Sequence, residues 1–145
     1  ILFYGPVGTG KTFLAACIAN ELLKKIEGVF YFATVENGQP RVRPFGFAMV
    51  FEDKLYFGCG THKAAYQQML ADPHVELCTF TRGSTIRVRG KAVMDDRPEV
   101  QQAMYAAAPG LKDKYNEQNG RHHICFYLDE MSAYEFKGET GIQLV

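Results

Sequence analysis

A chain of 145 residues, 47% hydrophobic and 22% charged, has the size and apolar content of one globular domain, which excludes a disordered segment. Sixteen Lys and Arg balance sixteen Asp and Glu, so no overall field favours nucleic acid or an anionic membrane, and any anion site has to be local. No apolar run reaches the ~20 residues that span a bilayer, and Cys17, Cys59, Cys78 and Cys125 form no C-x-x-C pair, which speaks against zinc and fits a reduced, cytoplasmic setting.

Ile1 to Tyr4 is a short apolar run with no basic residues before it, so a signal peptide is not expected; a start at Ile1 without Met points to a trimmed or joined N-terminus. Gly5 to Gly10 forms a loop. Thr12 to Lys25 has the spacing of a helix, with Leu14, Ile18, Leu22 and Ile26 every fourth residue and Gly28 as its stop. Val29 to Val35 is a strand, and Asn37-Gly38 predicts a tight hairpin into a strand over Arg41 to Phe51, where Pro44 and Gly46 mark an edge or a bulge. Glu52-Asp53 turns into a strand over Lys54 to Cys59. A short helix follows over Lys63 to Ala71, then strands over Val75 to Thr81 and Thr85 to Met94. Asp95-Asp96 are expected to cap a helix with Pro98 in its first turn and Val100, Met104 and Ala107 on one face. Leu111 to Tyr115 offers one more turn, and Ile124 to Leu128 and Ala133 to Phe136 two closing strands. About seven strands with short, hence antiparallel, connections and three helices predict a mainly β (α+β) barrel with helices flanking it.

Gly5 to Thr12 match the phosphate-binding pattern G-x-x-x-x-G-K-[ST] throughout. In that role the backbone around Gly8 and Gly10 wraps a nucleotide phosphate, Lys11 reaches the terminal phosphates and Thr12 holds Mg²⁺. Ile1 to Lys25 resembles the opening of a helicase-loader-type AAA+ ATPase, and ICFYLDE, Ile124 to Glu130, imitates a Walker B strand. Such an ATPase needs parallel strands joined by long crossovers, whereas hairpins follow Val35. The expected organisation is an appended P-loop-like segment over 1–25 and a barrel domain over 26–145.

The carrying pieces of that domain are VFYFATVENGQPRVRPFGFAMVF, KLYFGCGTHKAAYQQMLADPHVELC, TIRVRGKAVMDD and FYLDEMSAYEF. In this order and spacing they resemble the pyridoxamine 5′-phosphate oxidase-like, FMN-binding split-barrel family, in its nitroimidazole-resistance-like branch. The resemblance implies an antiparallel split β-barrel, a homodimer with FMN in a cleft between subunits, and flavin-dependent oxidoreductase chemistry. It implies that Arg43, Pro44 and Phe45 lie along the ribityl chain and ring, with Tyr56 and Phe57 on the next strand. Thr61, His62 and Lys63 would form the phosphate turn, followed by Gln68 on the helix. The residue types suit that role, since a phosphate takes a cation, a hydroxyl and free N–H groups at a helix start. The sequence departs from the oxidases proper: His62 stands where they usually carry Arg, no Trp occurs, and Ile86-Arg87 stand where relatives often place an aromatic. A C-terminal substrate-binding segment is also missing, so oxidation of pyridoxamine phosphate itself is not implied.

No residue stands out as a general acid or base, and none is assigned as catalytic. Arg87, Arg89 and Lys91 share a strand face that is either a solvated surface or part of an anion pocket. His122 and His123 are neighbours in a strand and point to opposite faces, against a metal pair. Cys59 is expected to be a small buried residue, not a nucleophile. Two other functions remain open at this level: a P-loop ATPase fragment, and a module that holds a flavin or haem without turnover.

Overall fold

The computed structural model describes residues 10–26 and 28–145, with side chains from residue 14 onward. Eight strands and four helices occur among them: α1 (Gly10–Lys25), β1 (Phe30–Glu36), β2 (Gln39–Phe45), β3 (Ala48–Phe51), β4 (Lys54–Gly60), α2 (Ala64–Ala71), β5 (His74–Thr81), β6 (Ser84–Asp95), α3 (Pro98–Ala107), α4 (Leu111–Lys114), β7 (His123–Lys137) and β8 (Thr140–Gln143). Every strand pair is antiparallel, in the order β2-β1-β5-β6-β7-β4-β3, with β8 added to β7. The parallel sheet of a P-loop ATPase is therefore not present among the described residues. Of the P-loop residues, Gly8 lies outside the described residues, and Gly10, Lys11 and Thr12 enter only as backbone in the first turn of α1.

The hairpins follow local chemistry. Asn37 and Gly38 both have positive φ, 51° and 74°, the mirror-image turn whose twist matches that of the flanking strands. The turn over Glu52 and Asp53 does the same without glycine, at 45° and 61°. The two edges of the sheet, β2 and β3, are consecutive in the chain, joined through Gly46-Phe47 and not hydrogen-bonded to each other. That gap is the split in the barrel, and it interrupts the single strand expected over Arg41 to Phe51.

β7 is one strand where two were expected. Arg89 pairs with Ser132 but Lys91 with Asp129, so β7 carries an extra residue opposite Gly90. Glu130 takes a φ of 49° in this bulge, and a Cβ at Gly90 would lie 2.7 Å from the Asp129 carbonyl oxygen. The bulge bends β7 so that its first half pairs with β4 while its whole length follows β6.

The barrel interior is aromatic: Phe32 stacks on Phe45 at 4.7 Å and meets Phe126 edge-on at 5.6 Å, with Phe30 and Phe57 beside them. Ala19 and Leu22 of α1, and Ile26 just after it, belong to the same buried cluster. A second cluster lies outside the barrel, where Val100 and Met104 of α3 cover Met49, Tyr56 and Cys125. Asp95 does not cap α3. Its carboxylate instead accepts from the Tyr56 hydroxyl at 2.8 Å and from Arg97, which also reaches Glu52. Among the described residues no helix covers the outer face of β2, β1 and β5, and Tyr31, Val42 and Phe80 stand there 58%, 64% and 73% exposed. Among the described residues no helix is long and apolar enough to cross a membrane.

Candidate ligand-binding cleft

At the split, Pro44, Phe45, Gly46 and Phe47 form one wall of a cleft of about 320 Å³. Gly58, Cys59 and His123 form its floor, Lys63 stands at one end, and Ala108, Leu111, Lys114 and Tyr115 close it from the α3–α4 arm. β4 is bare at Gly58 and Gly60 because rings press onto its backbone. A Cβ on Gly60 would come 2.6 Å from His62 Cε1 and 2.8 Å from Tyr115 Cε1, and one on Gly58 would run into the His123 ring. His123 is 3% exposed, its Nδ1 2.8 Å from Met104 Sδ, between the rings of Tyr115 and Phe47. Burial, with Lys63 and His122 nearby, holds its pKa down to about 4, so it is neutral at pH 7.

The phosphate turn predicted over Thr61 to Lys63 is exposed or half-buried and immediately precedes α2. Thr61 N–H donates to the His122 carbonyl at 2.9 Å, which ties the turn to β7. No side chain caps α2, so its first N–H groups carry no side-chain acceptor. Lys63 forms no ion pair among the described residues and lends positive potential to Cys59 and His123.

Arg43 and Gln68 come together, but with each other. Arg43 donates to Gln68 Oε1 and Thr34 Oγ1, both at 2.6 Å, the Thr34 hydroxyl donates to the same Gln68 oxygen at 2.6 Å, and Gln68 Nε2 donates to Glu36 at 3.0 Å. This network locks α2, and with it the turn before it, onto the β1–β2 hairpin. Arg41 stays outside, paired with Glu36 at 2.9 Å. Tyr56 and Phe57 are fully buried and do not line the cleft: Tyr56 faces α3 and Phe57 the aromatic core.

Cys59 is buried and its thiol pushed up to about 11 by that burial, so it is not a thiolate near neutral pH. His122 is exposed while His123 is buried, on opposite faces. Arg87 pairs with Glu76 at 2.6 Å, Lys91 with Glu130 at 2.9 Å, and Arg89 donates to Ser132 at 3.1 Å, all on the outer face. Sequence reasoning missed Phe47, Lys114, Tyr115 and the cleft position of His123. The only local signal was the Pro109-Gly110 break, which returns the chain over β4.

A family model for pyridoxamine 5′-phosphate oxidase matches residues 19–134. The chain belongs to the pyridoxamine 5′-phosphate oxidase family. Among solved structures, a NimC/NimA family protein from Clostridium acetobutylicum is 33% identical, with a TM-score of 0.77 over 86% of this chain and 92% of that one. A pyridoxamine 5′-phosphate oxidase-related, FMN-binding protein from Nostoc punctiforme shares the fold at 20% identity and a TM-score of 0.58, over 97% and 89% of the two chains. An FAD-binding protein from Mesorhizobium loti does so at 16% and 0.57, over 82% and 92%. No curated protein matches the chain. The family match begins inside α1, the helix whose Ala19 and Leu22 enter the barrel core.

Proposed function

We propose that the chain binds FMN in the cleft at the split and serves as a flavin-dependent oxidoreductase, working as a homodimer. The observation that carries this reading is the pairing of an unpaired cation, Lys63, and an uncapped helix start, α2, with a cleft walled by Phe45 and Phe47. A flavin phosphate fits the first two and the ring system the third. The FMN-binding and FAD-binding relatives support a flavin of some kind. When bound, the flavin supplies two-electron transfer. The chain's own part is binding and shielding: Lys63 and the first N–H groups of α2 hold the phosphate, the N–H and hydroxyl of Thr61 both being given to the His122 carbonyl, and Phe45 and Phe47 exclude water from the ring. His123 contributes a neutral wall without placing a charge beside the cofactor. Among the described residues no carboxylate lines the cleft, so proton transfer there falls to solvent or substrate.

The bare face of β2, β1 and β5 supports the dimer, since Tyr31, Val42 and Phe80 are large apolar groups left in water by one chain. The test of the cofactor is the absorbance spectrum of the purified protein before and after incubation with FMN, with the released cofactor identified by mass. Protein that stays colourless after incubation refutes the reading. Bound flavin that no nicotinamide donor reduces removes the oxidoreductase half and leaves a binding module. Lys63→Ala is expected to weaken FMN binding by roughly 1–3 kcal/mol, the cost of a lost charge-assisted hydrogen bond. Unchanged affinity would refute the phosphate turn.

A further inference from the structure

The cleft carries a cation on each of two walls. Lys63 belongs to the barrel and Lys114 to the α3–α4 arm, and neither is in an ion pair among the described residues. A cofactor phosphate at Lys63 leaves Lys114 without a counter-charge.

The arm holds Lys114 in place by bonds within itself. Asn116 Nδ2 donates to the Lys112 and Asp113 carbonyls at 2.9 and 3.2 Å, and Asn119 Nδ2 to the Lys114 carbonyl at 3.1 Å. Asn116 and Asn119 exchange backbone-to-side-chain bonds at 3.3 and 3.0 Å, and the Tyr105 hydroxyl donates to the Tyr115 carbonyl at 3.4 Å. The arm's ring contacts with the barrel side run through Tyr115, 4.7 Å from the ring of His123 and 6.0 Å from that of His62. The cleft between these walls is bounded by ring faces and by the bare strand at Gly58, surroundings that suit a flat molecule.

We propose that Lys114 and Tyr115 form a substrate subsite on the arm wall, for a flat aromatic molecule bearing one carboxylate. Lys114 binds the carboxylate and Tyr115 packs on the ring. The proposal rests on the flavin reading only in leaving the barrel wall to the cofactor.

Nicotinate and benzoate are the probes, and nicotinamide is the uncharged control, titrated calorimetrically into the protein with and without FMN. Nicotinate is expected to bind both forms, with nicotinamide about tenfold weaker or worse. Lys114→Gln should weaken nicotinate about tenfold and leave FMN affinity within about twofold, while Tyr115→Ala should weaken nicotinate and nicotinamide alike. Three results overturn the subsite: neither carboxylate binds at millimolar concentration, FMN displaces nicotinate, or nicotinate binding depends on Lys63 and ignores Lys114. Lys114-dependent nicotinate binding to a protein that takes up no FMN would keep the subsite and refute the flavin reading alone.

Discussion

Gly58→Ala places one methyl group where the cleft floor has no room. The new Cβ would lie 3.0 Å from Nδ1 and 3.1 Å from Nε2 of His123, and closer still to Cε1, whereas ordinary contact begins near 3.4 Å. The imidazole would have to retreat by roughly 1 Å, but Met104 Sδ stands 2.8 Å from its Nδ1, and the rings of Tyr115 and Phe47 flank it at 4.7 and 5.9 Å. Overpacking costs about 1–3 kcal/mol in general, and a ring hemmed on three sides puts this case near the upper end, about 2–3 kcal/mol. Urea unfolding followed by circular dichroism should show a lower midpoint with an unchanged slope. Combining Gly58→Ala with His123→Ala removes the clash, so the double variant should be more stable than the sum of the single losses predicts, by about 2 kcal/mol. A Gly58→Ala protein within about 0.5 kcal/mol of the parent, or a strictly additive cycle, would refute the packing of His123 onto bare β4.

Arg43→Met keeps the apolar stem but strips the donors from Thr34 and Gln68; unfolding in urea should show a loss of about 2–3 kcal/mol, and a loss below about 0.5 would contradict the network. The hydrogen bond from Arg97 holds Asp95 down to about 2, below its ordinary 3.8. A depressed carboxylate stabilises the fold above its unfolded value and loses that contribution as pH falls through the folded one, here between about pH 4 and about pH 2. With Arg97 46% exposed, solvent screening reduces the contribution to about 1 kcal/mol. Asp95→Asn should therefore flatten the acid limb of a melting-temperature profile, and identical limbs would count against the pairing. Val42→Asp puts a charge on the bare outer face and should turn the proposed homodimer into a monomer by light scattering; an intact dimer would move the interface elsewhere.

Much of the barrel was legible in the residue pattern, because the deciding interactions are local. Asn37-Gly38 names its own turn, and the four-residue spacing of Leu14, Ile18, Leu22 and Ile26 leads to buried Leu22 and Ile26, although Leu14 at the start of that stripe is 45% exposed. The turn from Thr61 to Lys63 was likewise visible as a helix start carrying a hydroxyl and a cation. The Asp-Glu pair in ICFYLDE imitated a Walker acid, yet Glu130 occupies a bulge that bends β7, which no local signal separated from a turn between two strands.

What the sequence by itself determined was therefore most of the strands, the turns at Asn37-Gly38 and Glu52-Asp53, the mainly β class and the cationic turn before α2, all set by neighbours a few residues apart; the break between β2 and β3, the continuity of β7 and the added strand β8 were not among them. Only the tertiary structure decided that Arg43 is tied up with Thr34 and Gln68, that Asp95 serves Tyr56 and Arg97 instead of capping α3, and that Tyr56 and Phe57 are core. It alone brought Lys114 and Tyr115 into the same cleft as Lys63. The reason is physical: residues fifty positions apart meet only when the sheet closes and the α3–α4 arm folds back over β4, and no periodicity encodes which ring will fill the space beside Gly58 and Gly60.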